Sequence, residues 1–327
     1  MRFEVDGMRP MDLDLTYVPY LEQLIAGRPV PTHLEDVAVR RARVAEARRS
    51  LVVSPPEDVL IETMEIRDGG HTIPIRVYRP RSQAQDQMLP AIVYFHGGGW
   101  MYGSAEQSDP MSVAYCRSVG AVVVSPDYRL SPEHPFPAGF DDCYRTLCWV
   151  AAEAPSLRVD PSRLAVTGES SGGNLAAACA IEARDRGGPS LSLQVLNYPA
   201  LDVAFDTASY RENAEAPVLS AVEMRYFWDA YLPDGLDTSD PRALPLRASS
   251  LGGLAPAHIV VAEYDPLRDD GIAYAARLEA DGTPVSLTHA RRLPHGFMRA
   301  LAMSSDVRDI VDNIADAFQR AFRPDGQ

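Results

Sequence analysis

Short apolar runs recur along most of this chain and alternate with stretches in which apolar positions return every three or four residues. The runs are residues 91–95, 121–125, 164–167, 191–196, 257–262 and 285–288, and the helical stretches lie near 141–154, 175–186, 272–280 and 307–322. Near-continuous apolar strands separated by helices predict parallel pairing in a sheet covered on both faces. Two earlier segments, 59–66 and 73–78, have strand composition, and Asp68-Gly69-Gly70 between them is a turn signal. The sheet should therefore open with an antiparallel hairpin. The predicted class is α/β: a mostly parallel, doubly wound, eight-stranded sheet flanked by helices.

Two regions break this alternation. Ahead of Ser54-Pro55-Pro56 lie two helical patterns, near 13–25 and 35–51, the second arginine-rich with Val37, Val44 and Ala45 on a narrow apolar face. Between the sixth and seventh strands, 202–251 is far longer than the usual connection of about 4–6 residues. It holds a capping box, Ser220 with Glu223, followed by Tyr226, Phe227, Trp228 and Tyr231. Both regions read as a helical cap over the sheet's carboxyl edge, with a peripheral packing insertion as the alternative for 202–251. The predicted organisation is 1–54 as N-terminal cap helices, 55–201 with 252–327 as the catalytic body, and 202–251 as the cap insertion.

Composition narrows the chemistry. With 327 residues, 46% hydrophobic and 23% charged, the chain should fold around a sizeable core. A formal net charge of -14 disfavours nucleic acid and anionic lipid as partners. All 31 basic residues are arginine, which excludes Schiff-base formation, pyridoxal phosphate attachment, a Walker-type phosphate loop and a Ser-Lys dyad. Cys116, Cys143, Cys148 and Cys179 form no C-x-x-C pair and read as small buried hydrophobes. No metal site and no cofactor are expected. Nothing resembles a signal peptide or a spanning segment, so the expectation is a cytoplasmic protein without stable membrane association.

The run 164–167 leads into Gly168-Glu169-Ser170-Ser171-Gly172-Gly173, and a helical pattern follows. This is a G-x-S-x-G elbow in strand–turn–helix context, a turn so tight that only hydrogen fits at Gly168 and Gly172 while Ser170 is held out at the sheet edge. The following helix aims its unpaired N–H groups at the same spot. Upstream, 91–95 ends in His96-Gly97-Gly98-Gly99-Trp100, whose glycines let backbone N–H groups approach a substrate carbonyl. The candidate oxyanion donors are the N–H groups of Gly98, Gly99 and Ser171.

Serine needs a neighbouring base, and that base needs an orienting carboxylate. Of seven histidines, His33 lies in the cap region, His71 in the hairpin and His134 in a proline-rich loop where it should pack locally. His258 begins a strand at the edge opposite the site. His289 and His295 follow the last run, and only His295, in Pro294-His295-Gly296-Phe297, sits in a loop beyond its carboxyl end. His295 is the predicted base. The run 257–262 ends in Glu263-Tyr264-Asp265-Pro266-Leu267-Arg268-Asp269-Asp270. Asp265 is first into the loop and is the favoured acid, ahead of Asp269 and Glu263; Asp269 and Asp270 suit the start of the next helix. His96, Trp100, Tyr198, Phe227 and Phe297 are candidate substrate-binding residues.

The segments His96 to Trp100, 127–138 (DYRLSPEHPFPA), Gly168 to Gly173, Asp265 to Asp269 and His295 to Phe297 together resemble those of the hormone-sensitive-lipase-like (family IV) carboxylesterases of the α/β-hydrolase superfamily. Their order and spacing match over roughly 55–322. The resemblance implies an α/β-hydrolase fold with a helical cap, a serine carboxylesterase of short- to medium-chain esters, a small-molecule ester as partner, and frequent homodimers. Two positions depart from the family, which usually has Asp and Ala where this chain has Glu169 and Ser171.

Three other readings use the same residues. An amidase or deacetylase would employ identical machinery, because specificity lies in the pocket walls. A lipase acting on emulsified lipid is disfavoured by the acidic chain. A non-catalytic ligand receptor on this fold, as in the plant gibberellin receptors, is disfavoured by the presence of His295.

Overall fold

The computed structural model describes residues 2–3, 11–27, 32–49, 57–68, 70–81, 87–233 and 239–323. The Ser54-Pro55-Pro56 break with its 54/55 boundary, Leu51 and the turn residue Gly69 lie outside the described residues. Eight strands form one sheet: β1 (Val59–Asp68), β2 (His71–Pro80), β3 (Leu89–Phe95), β4 (Val122–Pro126), β5 (Val159–Glu169), β6 (Leu193–Asn197), β7 (Ala257–Tyr264) and β8 (Val285–Pro294). Helices are α1 (Val18–Ala26), α2 (Val37–Arg49), α3 (Asp109–Val119), α4 (Ala138–Ala152), α5 (Ser171–Arg186), α6 (Ala208–Glu212), α7 (Ala221–Tyr231), α8 (Arg268–Ala280) and α9 (Ser305–Ala321).

In space the strands run β8-β7-β6-β5-β3-β4-β2-β1. The hairpin β1–β2 is antiparallel, β2 meets β4 antiparallel, and the remaining pairs are parallel. The apolar runs are continuous because each strand feeds two cores. Val93, Val124, Val166 and Val261 join one core with Leu147 of α4, Leu175 of α5 and Leu278 of α8. Their neighbours Ile92, Val123, Ala165 and Val260 join the other, with Tyr115 of α3, Phe318 of α9 and Leu21 of α1. Both faces are thereby covered, as parallel pairing requires.

Several elements differ from the sequence expectation. Helix α1 starts at Val18 because Asp14 Oδ1 accepts the N–H groups of Thr16 and Tyr17 and closes a turn before it. Helix α3 was not anticipated: its buried Met111, Val113, Tyr115 and Cys116 follow one another at spacings of two, two and one, which match neither template cleanly. A two-stranded pair, Arg2–Phe3 with Met11–Asp12, was likewise unforeseen. Strand β8 extends to Pro294: it pairs with β7 as far as Ala290↔Ala262, shifts register, and regains Pro294↔Tyr264. His289 therefore lies within the strand rather than after it. His134 is exposed rather than packed.

The face that α2 turns inward is also less apolar than expected. Arg40 is buried on it, with its guanidinium 5.2 Å from the Tyr102 ring centroid, while Val39 is exposed. Its neighbour Arg41 donates to the carbonyls of Met101 and Ser131, both at 2.8 Å, and pairs with Glu133. In the insertion, Ser220 and Glu223 form the expected capping box at the start of α7. Trp228 and Tyr231 of α7 pack on Trp100, Tyr231 stacked at 4.3 Å.

His258, at the start of β7, is buried with Nδ1 2.7 Å from Ser286 Oγ on β8. Burial, and secondarily the Arg320 charge, push its pKa from 6.5 down to about 4. Between those values the unfolded chain binds a proton that the folded chain refuses, so folding stability from this group is present above pH 6.5 and lost as pH falls toward 4. Urea midpoints measured across that window should fall more steeply for the wild type than for His258→Gln; parallel curves would exclude the effect.

Candidate active site

Strand β5 delivers Gly168 and Glu169 to the sheet's carboxyl edge, and Ser170 follows at φ 58°, ψ -119° before α5 begins. A non-glycine residue at positive φ is held by its surroundings. Here the surroundings are close: a Cβ on Gly168 would stand 2.2 Å from the Gly172 carbonyl oxygen, and one on Gly172 would stand 2.1 Å from that of Phe95. Ser170 N–H donates to the Asn197 carbonyl at 2.9 Å, which ties the turn to the neighbouring strand.

Three strand ends converge on this serine. His295, directly after β8, has Nε2 2.9 Å from Ser170 Oγ and Nδ1 2.7 Å from Asp265 Oδ2. Asp265, directly after β7, is fully buried, and its Oδ1 accepts the N–H of Leu267 at 2.9 Å. That leaves one carboxylate oxygen for the turn and one for the imidazole. The structure thus brings together Ser170, Asp265 and His295. Asp269 and Glu263 lie elsewhere in the bonding pattern: Asp269 Oδ2 accepts from Ser209 N–H, and Glu263 Oε2 accepts from Arg292 N–H.

The glycine loop after β3 lies against the same turn. A Cβ on Gly97 would approach the Glu169 carbonyl oxygen to 2.7 Å. Gly98 (φ 143°) and Gly99 (φ 60°) have backbone angles that side chains rarely adopt, and the Gly98 carbonyl accepts from Tyr102 N–H at 3.0 Å. The Phe227 ring of α7 lies directly over Gly99, 2.5 Å from where a Cβ would be. Ser171 opens α5, where a first-turn N–H has no intrahelical acceptor. It is fully buried, and its Oγ has no hydrogen-bond partner among the described residues.

The remaining candidates surround these groups in different ways. Tyr198, just past β6, sets its ring against His295 with centroids 4.9 Å apart, and Phe297 packs on Tyr198 at 5.3 Å. His96 is buried and stacks on Tyr128 at 4.2 Å, while Trp100 is buried under Trp228 and Tyr231. Sequence reasoning missed the supporting polar groups. Asn213 donates to the Asp265 carbonyl, and Asp270, whose pKa burial raises well above the usual range, accepts from the N–H groups of Leu201 and Asp202. The acid next to Ser170 was visible in the sequence; that Tyr94 of β3 and Tyr198 just past β6 are its partners was not.

A family model described as alpha/beta hydrolase fold matches residues 92–299. The chain belongs to this family, in its hormone-sensitive-lipase-like branch, and is a carboxylic ester hydrolase. It is 43% identical over 289 residues to carboxylesterase NlhH of Mycobacterium tuberculosis, covering 86% of this chain and 88% of that one. It is 32% identical over 317 residues to an ethyl acetate hydrolase of Pseudomonas putida, covering 95% and 99%. The crystal structure of a thermostable esterase from Pseudomonas putida superposes with TM-score 0.89 at 32% identity, covering 96% of this chain and 98% of that one. Among the described residues, no helix is long and apolar enough to cross a membrane.

The close approach of Gly168 to Gly172 makes a direct test. Gly168→Ala should lower folding stability by about 1–3 kcal/mol or more, since backbone rather than a yielding side chain meets the new methyl. Urea denaturation monitored by tryptophan fluorescence checks it, and an unchanged midpoint would show that the turn is looser than described.

Proposed function

We propose that this carboxylesterase hydrolyses short- to medium-chain esters through a Ser170–His295–Asp265 triad and an acyl-enzyme intermediate. The observation that carries this reading is the continuous pair of contacts, 2.9 Å and 2.7 Å, running from Ser170 Oγ through the imidazole to a buried carboxylate. With Asp265 ionised, Nδ1 of His295 holds the proton and Nε2 is left to accept one from Ser170. The serine oxygen attacks the ester carbonyl as its proton moves to Nε2. Negative charge gathers on the carbonyl oxygen, where the N–H groups of Gly98, Gly99 and Ser171 receive it. His295 then gives its proton to the departing alcohol. Water, deprotonated by the same imidazole, attacks the acyl-serine, and the acid leaves with Ser170 regenerated. Asp265 keeps the ring in the required tautomer and stabilises its charged form.

The acyl range rests on two supports. Phe227 lies over Gly99, so a bulky ring stands beside one of the proposed oxyanion donors. One relative is named for ethyl acetate, an ester with a two-carbon acyl group. Residues 1–54 and 202–251 form the cap in this reading, with Arg41 and Phe227 as their contacts to the loop that carries Gly98 and Gly99.

Ser170→Ala and His295→Ala should each lower kcat on p-nitrophenyl butyrate on the order of 10⁴-fold or more. Wild-type turnover by either variant would refute the triad. Gly98→Ala, which would displace the proposed oxyanion loop because a Cβ there meets the Tyr102 carbonyl, should lower kcat by about 10²–10³-fold. A series of p-nitrophenyl esters from acetate to palmitate, run with matched anilides, should show kcat/KM highest at the short end and slower cleavage of the anilides. Faster anilide cleavage would reassign the chain as an amidase.

A further inference from the structure

Glu169 is a buried carboxylate immediately before the proposed nucleophile, and the hydrolytic cycle assigns it no step. Such a group is costly unless its oxygens are satisfied. They are: Tyr94 of β3 donates its O–H to Oε1 at 2.6 Å, and Tyr198 donates to Oε2 at 3.1 Å. Tyr94 and Tyr198 are themselves buried, and burial together with the Glu169 charge raises both phenol pKa values, which keeps both as donors.

Tyr198 has the conformation of a residue placed for a purpose. Its backbone φ is +38°, and its N–H is fixed to the Val260 carbonyl. One end of its ring is anchored by Glu169, and the ring meets the His295 imidazole edge to face, 4.9 Å between centroids at 65°. We infer that Glu169, acting through Tyr198, is a positioning residue for His295: it fixes the aromatic wall against which the imidazole sits, and its fixed negative charge favours the imidazolium formed during attack. This inference rests on the triad reading above.

The groups that face this network come from several elements. Around Glu169 are Tyr94 from β3, Tyr198 after β6, Tyr115 from α3 and Arg299 from the turn after His295, and Tyr20 of α1 faces Arg299. Facing the imidazole are Asp265 after β7, Ser170 and Tyr198, with Asp270 of α8 near Asp265. Asp265 supplies the direct ion partner of the imidazolium, and Glu169 adds a second negative charge on the Tyr198 side. Removing it disfavours the charged ring.

The decisive measurement is the pH dependence of kcat/KM, whose acid limb reports the base of the free enzyme. Glu169→Gln keeps shape and removes charge: its acid limb should move to lower pH by on the order of one unit, and kcat should fall about 10-fold with KM little changed. Glu169→Asp, which restores the charge, should return the limb toward the wild-type position. An acid limb that stays in place in Glu169→Gln overturns the inference, whatever happens to thermal stability, because a purely structural role would move Tm and leave the limb alone. If Glu169→Gln does not fold, Tyr198→Phe decides: it keeps the ring and removes the anchor, and wild-type kcat in that variant overturns the inference. Ser170→Ala, assayed alongside, separates the two levels. Activity in Ser170→Ala removes the triad reading, whereas an inactive Ser170→Ala beside an unmoved Glu169→Gln limb removes only the role given to Glu169.

Discussion

The contact on which the site depends is one of backbone on backbone, where the turn at Ser170 closes on itself and on the end of β3. Gly168 meets the carbonyl of Gly172, and Gly172 meets that of Phe95, with no room for a single carbon atom at either point. This packing holds Ser170 at a positive φ that the residue would not choose. It also brings the Gly97–Gly99 loop and the start of α5 to the same place, so the proposed nucleophile and the candidate oxyanion donors are set by one rigid junction.

Around that junction, the insertion and the acid-bearing loop are joined by shared hydrogen bonds. Ser209 at α6 donates its O–H to the Pro266 carbonyl and its N–H to the Asp269 carboxylate, and Asn213 donates to the Asp265 carbonyl. Asp270 holds Leu201 and Asp202 where the chain leaves the sheet for the insertion. The N-terminal helix α2 does the equivalent at the glycine loop through Arg41. Each segment that departs from the sheet is thus fastened near a group that the site uses.

The strands, their parallel order and the three converging residues were legible because they depend on local signals: apolar runs of strand length, glycines at fixed offsets, and a histidine and an aspartate just past strand ends. Glu169 was legible as an odd residue but not as the centre of a network, because Tyr94 and Tyr198 meet it across strands distant in sequence. The buried position of Arg40 was hidden for a similar reason. A helical face read in isolation shows an arginine as solvated, whereas here the Tyr102 ring above it and the Glu35 carboxylate 3.7 Å away make burial tolerable. The extension of β8 was missed because a register shift and a positive φ at Arg292 break its alternation. The structure assigns no visible duty to the Ser171 hydroxyl.

Strand β8 is an outer strand of the sheet, paired within it with β7 alone, and His295 follows directly on its last residue. Fraying of that margin by a few residues would detach His295, the proposed base, while leaving the central strands intact. In the triad reading, catalysis is therefore tied to a border strand of the sheet. Loss of turnover is to be read as an early sign of loosening there, well before the interior melts.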